Sequence, residues 1–207
     1  MNTDRIIAIV ILAVIVIGGV GLIYWSQHKS SGPRNQITQP QQPSPAAKPA
    51  HAAPTGAEVQ EAKTHGTYHV RIETAKGDIE VELRGDLLPL TVANFVKLAK
   101  SGFYDGLTFH RVEDWVIQGG DPRGDGTGGP GYSINLETDS QLKNVRGAIA
   151  MARSQDPNSA GSQFYILKTD ADWLNGQYAV FGNVTKGMDV VDKITVGDVI
   201  NKIVVVD

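Results

Sequence analysis

Residues 109–121 read FHRVEDWVIQGGD, and this pattern decides how the folded part of the chain is read. Phe109 and His110 end a short run that starts at Leu107. Trp115 to Gln118 form a second, closed by Gly119-Gly120. Side chains alternate between the two faces of a pleated strand, so each run presents one face inward and one outward. A turn at Glu113-Asp114 then makes a hairpin. That hairpin aims Arg111, Trp115 and Gln118 at one shared surface.

The residues on either side extend the same alternation. Tyr68 to Thr74 and Asp78 to Leu83 alternate with period two across Ala75-Lys76-Gly77, a hairpin loop. Pro89 to Lys100 changes period: Val92, Phe95, Val96 and Ala99 fall at i, i+3, i+4 and i+7, which predicts a helix. Pro89 and Thr91 mark its start and Gly102 follows its end. Residues 146–152, 163–167, 179–184 and 199–206 read as further strands, and 187–194 as a second helix. Many short strands with only two helices predict a mainly-β closed barrel or sandwich with helices over its openings.

Upstream of Tyr68 the composition changes. Ile6 to Trp25 carry neither charge nor proline. At ~1.5 Å per residue such a stretch spans the ~30 Å hydrocarbon core of a bilayer. A secretory signal has an apolar core of only about 7–15 residues and a small-residue cleavage site. Here Tyr24-Trp25 stand instead, suited to an interfacial aromatic belt. Residues 1–25 are therefore expected to be an uncleaved transmembrane anchor, with cleavage as the alternative. Arg5 beside Asp4 on one flank, against Lys29 and Arg34 on the other, orients it weakly. The short N-terminal flank favours a single-pass arrangement with the bulk of the chain on the extracytoplasmic side. Residues 26–67 hold six of the ten prolines and many Gln, Ala and Ser, and read as a disordered linker. Residues 68–207 form the globular domain.

Charge and composition exclude several classes. Of 19 lysines and arginines five precede Tyr68, but of 22 acidic residues only three do, so the domain is acidic. It offers no basic patch for nucleic acid. The absence of cysteine rules out a thiol nucleophile and thioether or thioester lipidation. Gly124, Gly126 and Gly129 fit G-x-G-x-x-G, but no helix follows, as a dinucleotide fold requires. Asp121 and Asp125 resemble part of a calcium loop, yet Arg123 and Tyr132 occupy positions where ligands are needed. His65 and His69 have metal-ligand spacing but flank Gly66-Thr67 with no third ligand nearby. No cofactor or metal is expected.

Four blocks together are more specific than any of these. FHRVEDWVIQGGD is followed by GDGTGG at 124–129, GAIAMARSQDPNSAGSQFYI at 147–166 and WLNGQYAVFG at 173–182. In this order and spacing the chain resembles the cyclophilin-type peptidyl-prolyl isomerases over essentially all of 68–207. The resemblance implies a closed eight-stranded antiparallel β-barrel capped by two helices, acting on X-Pro bonds without metal or organic cofactor. It implies that Arg111 is the catalytic arginine and Gln118 its neighbour. Trp115, Val116, Phe164, Tyr165 and Leu174 fall on or next to positions that wall the proline pocket, and Phe109, His110, Gln163 and Tyr178 are further substrate-binding positions carried over. Ala152 and Arg153 belong to the strand that contacts substrate backbone, and only the backbone of Arg153 is expected to do so. Gly126, Thr127 and Ser154 border a secondary pocket, and Trp173 matches a tryptophan associated with cyclosporin binding. Partners implied are proline-containing peptides, unfolded proteins, a cyclosporin-type inhibitor and, through residues 1–25, the membrane; the barrel is expected to be monomeric. The chain departs from the common pattern at Glu113-Asp114, Trp115, Val116, Arg153 and Tyr178.

The chemistry explains the residue types. Rotation about a peptide bond meets a barrier of ~18–20 kcal/mol because the nitrogen lone pair is delocalised. Twisting localises that pair, and a guanidinium aimed at the prolyl nitrogen or the adjacent carbonyl stabilises the twisted state over either planar one. A binding module that holds Pro-containing segments without turnover is the alternative. Arg111 favours the enzyme, since pure binding does not require it.

Overall fold

The sheet begins with a hairpin because two alternating segments meet at a glycine that can take positive φ. β1 (Thr67–Thr74) pairs antiparallel with β2 (Gly77–Arg84), and Gly77 has φ +128°. The computed structural model describes residues 51–206. The expected membrane span over 1–25 and the linker before residue 51 lie outside them. Among the described residues no helix is long and apolar enough to cross a membrane.

Six further strands complete one antiparallel sheet: β3 (Arg111–Val112), β4 (Val116–Gly119), β5 (Ala148–Met151), β6 (Phe164–Leu167), β7 (Val180–Lys186) and β8 (Ile200–Val205). Their order is β3-β4-β6-β5-β7-β2-β1-β8. The expected closed barrel is corrected here, for no ladder joins β3 to β8. The chain just before each strand makes only a short antiparallel bridge, Thr108 with Val199, flanked by Ile200 N–H donating to Leu107 O (2.7 Å) and Phe109 N–H to Asp198 O (2.9 Å). β3 is two residues long, too short to continue that pairing.

α2 (Pro89–Lys100) has the predicted bounds and buries Val92, Phe95, Val96, Leu98 and Ala99. Phe95 centres an aromatic cluster, with ring centroids 5.1 Å from Tyr104, 5.4 Å from Phe164 and 5.2 Å from Phe181. The N-cap residue Leu88 has no capping side chain. Glu137 takes over, accepting from the N–H groups of Leu90 (3.2 Å) and Thr91 (2.7 Å). A carboxylate there also faces the positive end of the helix dipole. α3 (Met188–Lys193) follows Gly187.

A third helix was not expected. α1 (Gly56–His65) lies within the stretch read as disordered linker, so that reading is corrected for these residues. Thr55 and Glu58 form a capping box that satisfies the first free N–H groups. Glu58 reaches Lys97 of α2 at 3.0 Å, Ala62 is buried, and the ring of His51 packs edge-on against Phe103 at 5.1 Å. Tertiary docking thus orders a segment whose composition is that of a tether.

Candidate active site

Strand register assembles the site. Arg111 of β3 is paired with Gln118 of β4, Gln118 with Tyr165 of β6, and Tyr165 with Ala150 of β5. Residues directly opposite on antiparallel strands project to the same face. One position along, Val112, Ile117, Ile166 and Ile149 form the adjacent row. The three isoleucines are fully buried, so this row faces the core and the Arg111 row faces outward. A slip of one residue would exchange the two rows.

The outward face carries a groove of about 350 Å³ lined by Arg111, Trp115, Val116, Gln118, Ala152, Arg153, Tyr165, Leu174 and Tyr178. Nine of the proposed site residues therefore meet. The aromatic walls are paired: Trp115 with Trp173 at 6.0 Å, and Tyr165 with Tyr178 edge-on at 5.9 Å. Tyr165 donates from its hydroxyl to Asn144 Oδ1 (2.8 Å), and burial pushes its pKa up. Trp173 and Leu174 come from a 3-10 turn at Asp172–Leu174, which leaves Trp173 63% exposed at the rim.

Other proposed residues lie elsewhere. Phe109 and Phe164 do not line the groove; both are fully buried. Phe164 precedes Tyr165, so strand alternation turns it inward. Both ring nitrogens of His110 are buried without hydrogen-bond partners among the described residues. Gly126 and Thr127 belong to a loop gathered round the buried carboxylate of Asp121, which accepts from the N–H groups of Arg123 (2.8 Å), Asp125 (3.1 Å) and Gly126 (2.5 Å). Ser154 donates to Ser159 Oγ at 2.8 Å in an exposed loop.

A relay holds the arginine. Gln163 Nε2 donates to the carbonyls of Gly126 (3.0 Å) and Gly128 (2.9 Å), and its Oε1 accepts from Gln118 Nε2 (2.9 Å). With its amide nitrogen so engaged, Gln118 turns Oε1 toward Arg111, whose Nη1 donates to it at 3.1 Å. On the other side Arg111 Nε donates to Glu113 Oε1 at 2.7 Å. The same carboxylate accepts from Trp115 Nε1 at 2.7 Å, and the guanidinium lies 5.3 Å from the Trp115 ring centroid. The hydrogen bond from Arg111, then that from Trp115, lowers the pKa of Glu113. The brace by Glu113 was not foreseen. Its signal in sequence is the i, i+2 spacing from Arg111, which puts both on one face.

Arg111 is thus held from two sides at the edge of an aromatic-walled groove of mixed polarity. Residues 69–206 match the family described as cyclophilin type peptidyl-prolyl cis-trans isomerase/CLD. The chain is 44% identical over 151 residues to a peptidyl-prolyl cis-trans isomerase of Helicobacter pylori, covering 71% of this chain and 92% of that one. It is 48% identical over 127 residues to peptidyl-prolyl cis-trans isomerase B of Bacillus subtilis, covering 60% and 88%. Among solved structures it superposes on a cyclophilin-type isomerase of Cryptosporidium parvum, crystallised in the presence of the dipeptide Ala-Pro. That match has TM-score 0.63 and 34% identity, and covers 67% of this chain and 99% of that one. The chain belongs to the cyclophilin-type peptidyl-prolyl cis-trans isomerases, and its activity is isomerisation of X-Pro bonds.

Proposed function

We propose that the groove is where isomerisation occurs and that Arg111 drives it by stabilising the twisted imide. The observation that carries this is the double brace on Arg111, from Glu113 and Gln118, at the edge of a groove that also offers Val116, Leu174 and aromatic side chains. Val116, Leu174 and the aromatic walls hold the pyrrolidine ring. The unbraced guanidinium nitrogen is left to meet the prolyl nitrogen or the preceding carbonyl. No proton is transferred; the work is electrostatic and comes from a donor already oriented. A short X-Pro peptide titrated into the full-length protein tests the location. Amide shifts should move at Arg111, Gln118, Ala152 and Tyr165, with magnetisation exchange between the isomers. Shifts confined to another face refute it.

The substrates are read as exported or unfolded chains. The support is the apolar stretch Ile6 to Trp25, which suits a single-pass anchor holding a monomeric domain outside the cytoplasm. Protease added to spheroplasts should remove the domain while the anchor fractionates with membranes. A protected domain, or a mature chain starting after Trp25, overturns that placement. Cyclosporin-type ligands should compete for the same groove, with Trp173 at its rim.

A further inference from the structure

The groove contains a second guanidinium, and it differs from the first in its surroundings. Arg111 faces the carboxylate of Glu113 at 2.7 Å. Arg153 forms no ion pair among the described residues. Its Nε donates to Gln177 O (2.9 Å), and its Nη1 to Ser154 O (2.8 Å) and Gln155 O (3.4 Å). The guanidinium lies 4.6 Å from the centroid of the Tyr178 ring. Carbonyl oxygens and a ring face orient a cation without neutralising it. Nη2 makes no hydrogen bond among the described residues. Arg153 is thus a fixed, uncompensated positive charge in the wall of a groove, within a domain whose net charge is negative.

We propose that Arg153, seated on Tyr178, is a specificity residue that binds an acidic side chain, so that the enzyme favours X-Pro segments carrying Asp or Glu near the proline. A carboxylate gains charge-assisted hydrogen bonds from the free edge of the guanidinium. The side chain is already ordered by three carbonyls, so binding forfeits little rotamer entropy. The sheet order β3-β4-β6-β5 separates Arg111 from the end of β5 by three strand spacings. At ~4.8 Å each this is roughly 14 Å, which an extended peptide covers in about four residues. The acidic residue therefore falls within about four positions of the proline.

This inference rests on the groove being the isomerisation site, and the two fail separately. Magnetisation exchange with the full-length protein would compare peptides of one X-Pro sequence carrying Asp, Asn or Lys at each position near the proline. At one position or more, Asp should exceed Asn about fivefold in kcat/KM, and the preference should shrink at roughly 1 M salt. In R153Q the Asp-to-Asn ratio should fall toward one, and in R153E the preference should pass to Lys. An Asp-to-Asn ratio near one at every position in the wild-type protein overturns the proposal; that arm needs no variant to fold. So does an unchanged ratio in R153Q, or an equal loss for all peptides, which marks a strut for the 153–159 loop. Full activity in R111A instead overturns the groove mechanism and leaves the peptide ratio to be read on its own.

Discussion

Replacing Arg111 by alanine removes a groove donor that is braced from two sides, by Glu113 and Gln118. A hydrogen bond to a charged group contributes ~1.5–3 kcal/mol, and loss of one oriented donor in a polar transition-state site lowers rates by about 10²–10³-fold. The Arg111 side chain is 42% exposed, so water screens part of this. The lower end applies: a loss of about 10²-fold in kcat/KM, equivalent to ~2.7 kcal/mol. Arg111→Lys should retain more activity, with a loss of about tenfold. It keeps the charge, but a point ammonium cannot satisfy Glu113 and Gln118 while presenting a planar edge to the imide. Neither change should unfold the domain, because the side chain leaves no core cavity. Magnetisation exchange on an X-Pro peptide gives the rates, and thermal melting checks the fold. Near-wild-type turnover in folded Arg111→Ala refutes the mechanism, and equal loss in both variants refutes the role of charge.

Glu113 has a lowered pKa, so its brace is complete above the ordinary carboxylate value of 4.5 and is lost only as pH falls through its lower folded value. The pH profile of kcat/KM should be flat from neutrality down to that value and drop below it; Glu113→Gln should lower the plateau and remove the acid limb. A chain starting at Tyr68 should melt on the order of 5 °C below one starting at His51, because it lacks the buried Ala62 and the Glu58–Lys97 contact; coincident melting curves sink that account of α1. Tyr132 is raised to about 12, chiefly by burial, so it favours the protonated folded state. The stability it contributes should be complete below its unfolded value of 10.0 and decline as pH rises toward 12, a decline that Tyr132→Phe should lessen in alkaline melts. Cyclosporin should inhibit the enzyme, and Trp173→Ala should weaken inhibition by roughly tenfold or more through loss of an indole donor and ring contact; unchanged inhibition places Trp173 outside the drug site.

Local pattern carried much of this protein. α2 was legible to the residue because Val92, Phe95, Val96 and Ala99 repeat with the helical period, and burial enforces that period. β1 and β2 were legible because each alternates, β5 and β6 as short apolar runs buried on both faces, and the β3–β4 hairpin because two apolar runs flank a short acidic turn. Four sequence blocks sufficed to gather Arg111, Gln118, Trp115 and Tyr165. What they could not show depends on residues far apart in the chain. Glu137 caps α2 from more than forty positions away. α1 resembles a tether because it buries little of itself, and its capping box is joined to the fold by a contact with α2 that sequence does not show. Strand register sent Phe109 and Phe164 into the core, though both adjoin site residues. Order across the sheet put Arg153 in the same groove as Arg111 and gave only one of them a carboxylate. Periodicity is written in neighbouring residues, whereas the partner of a charge is chosen by which strands lie side by side.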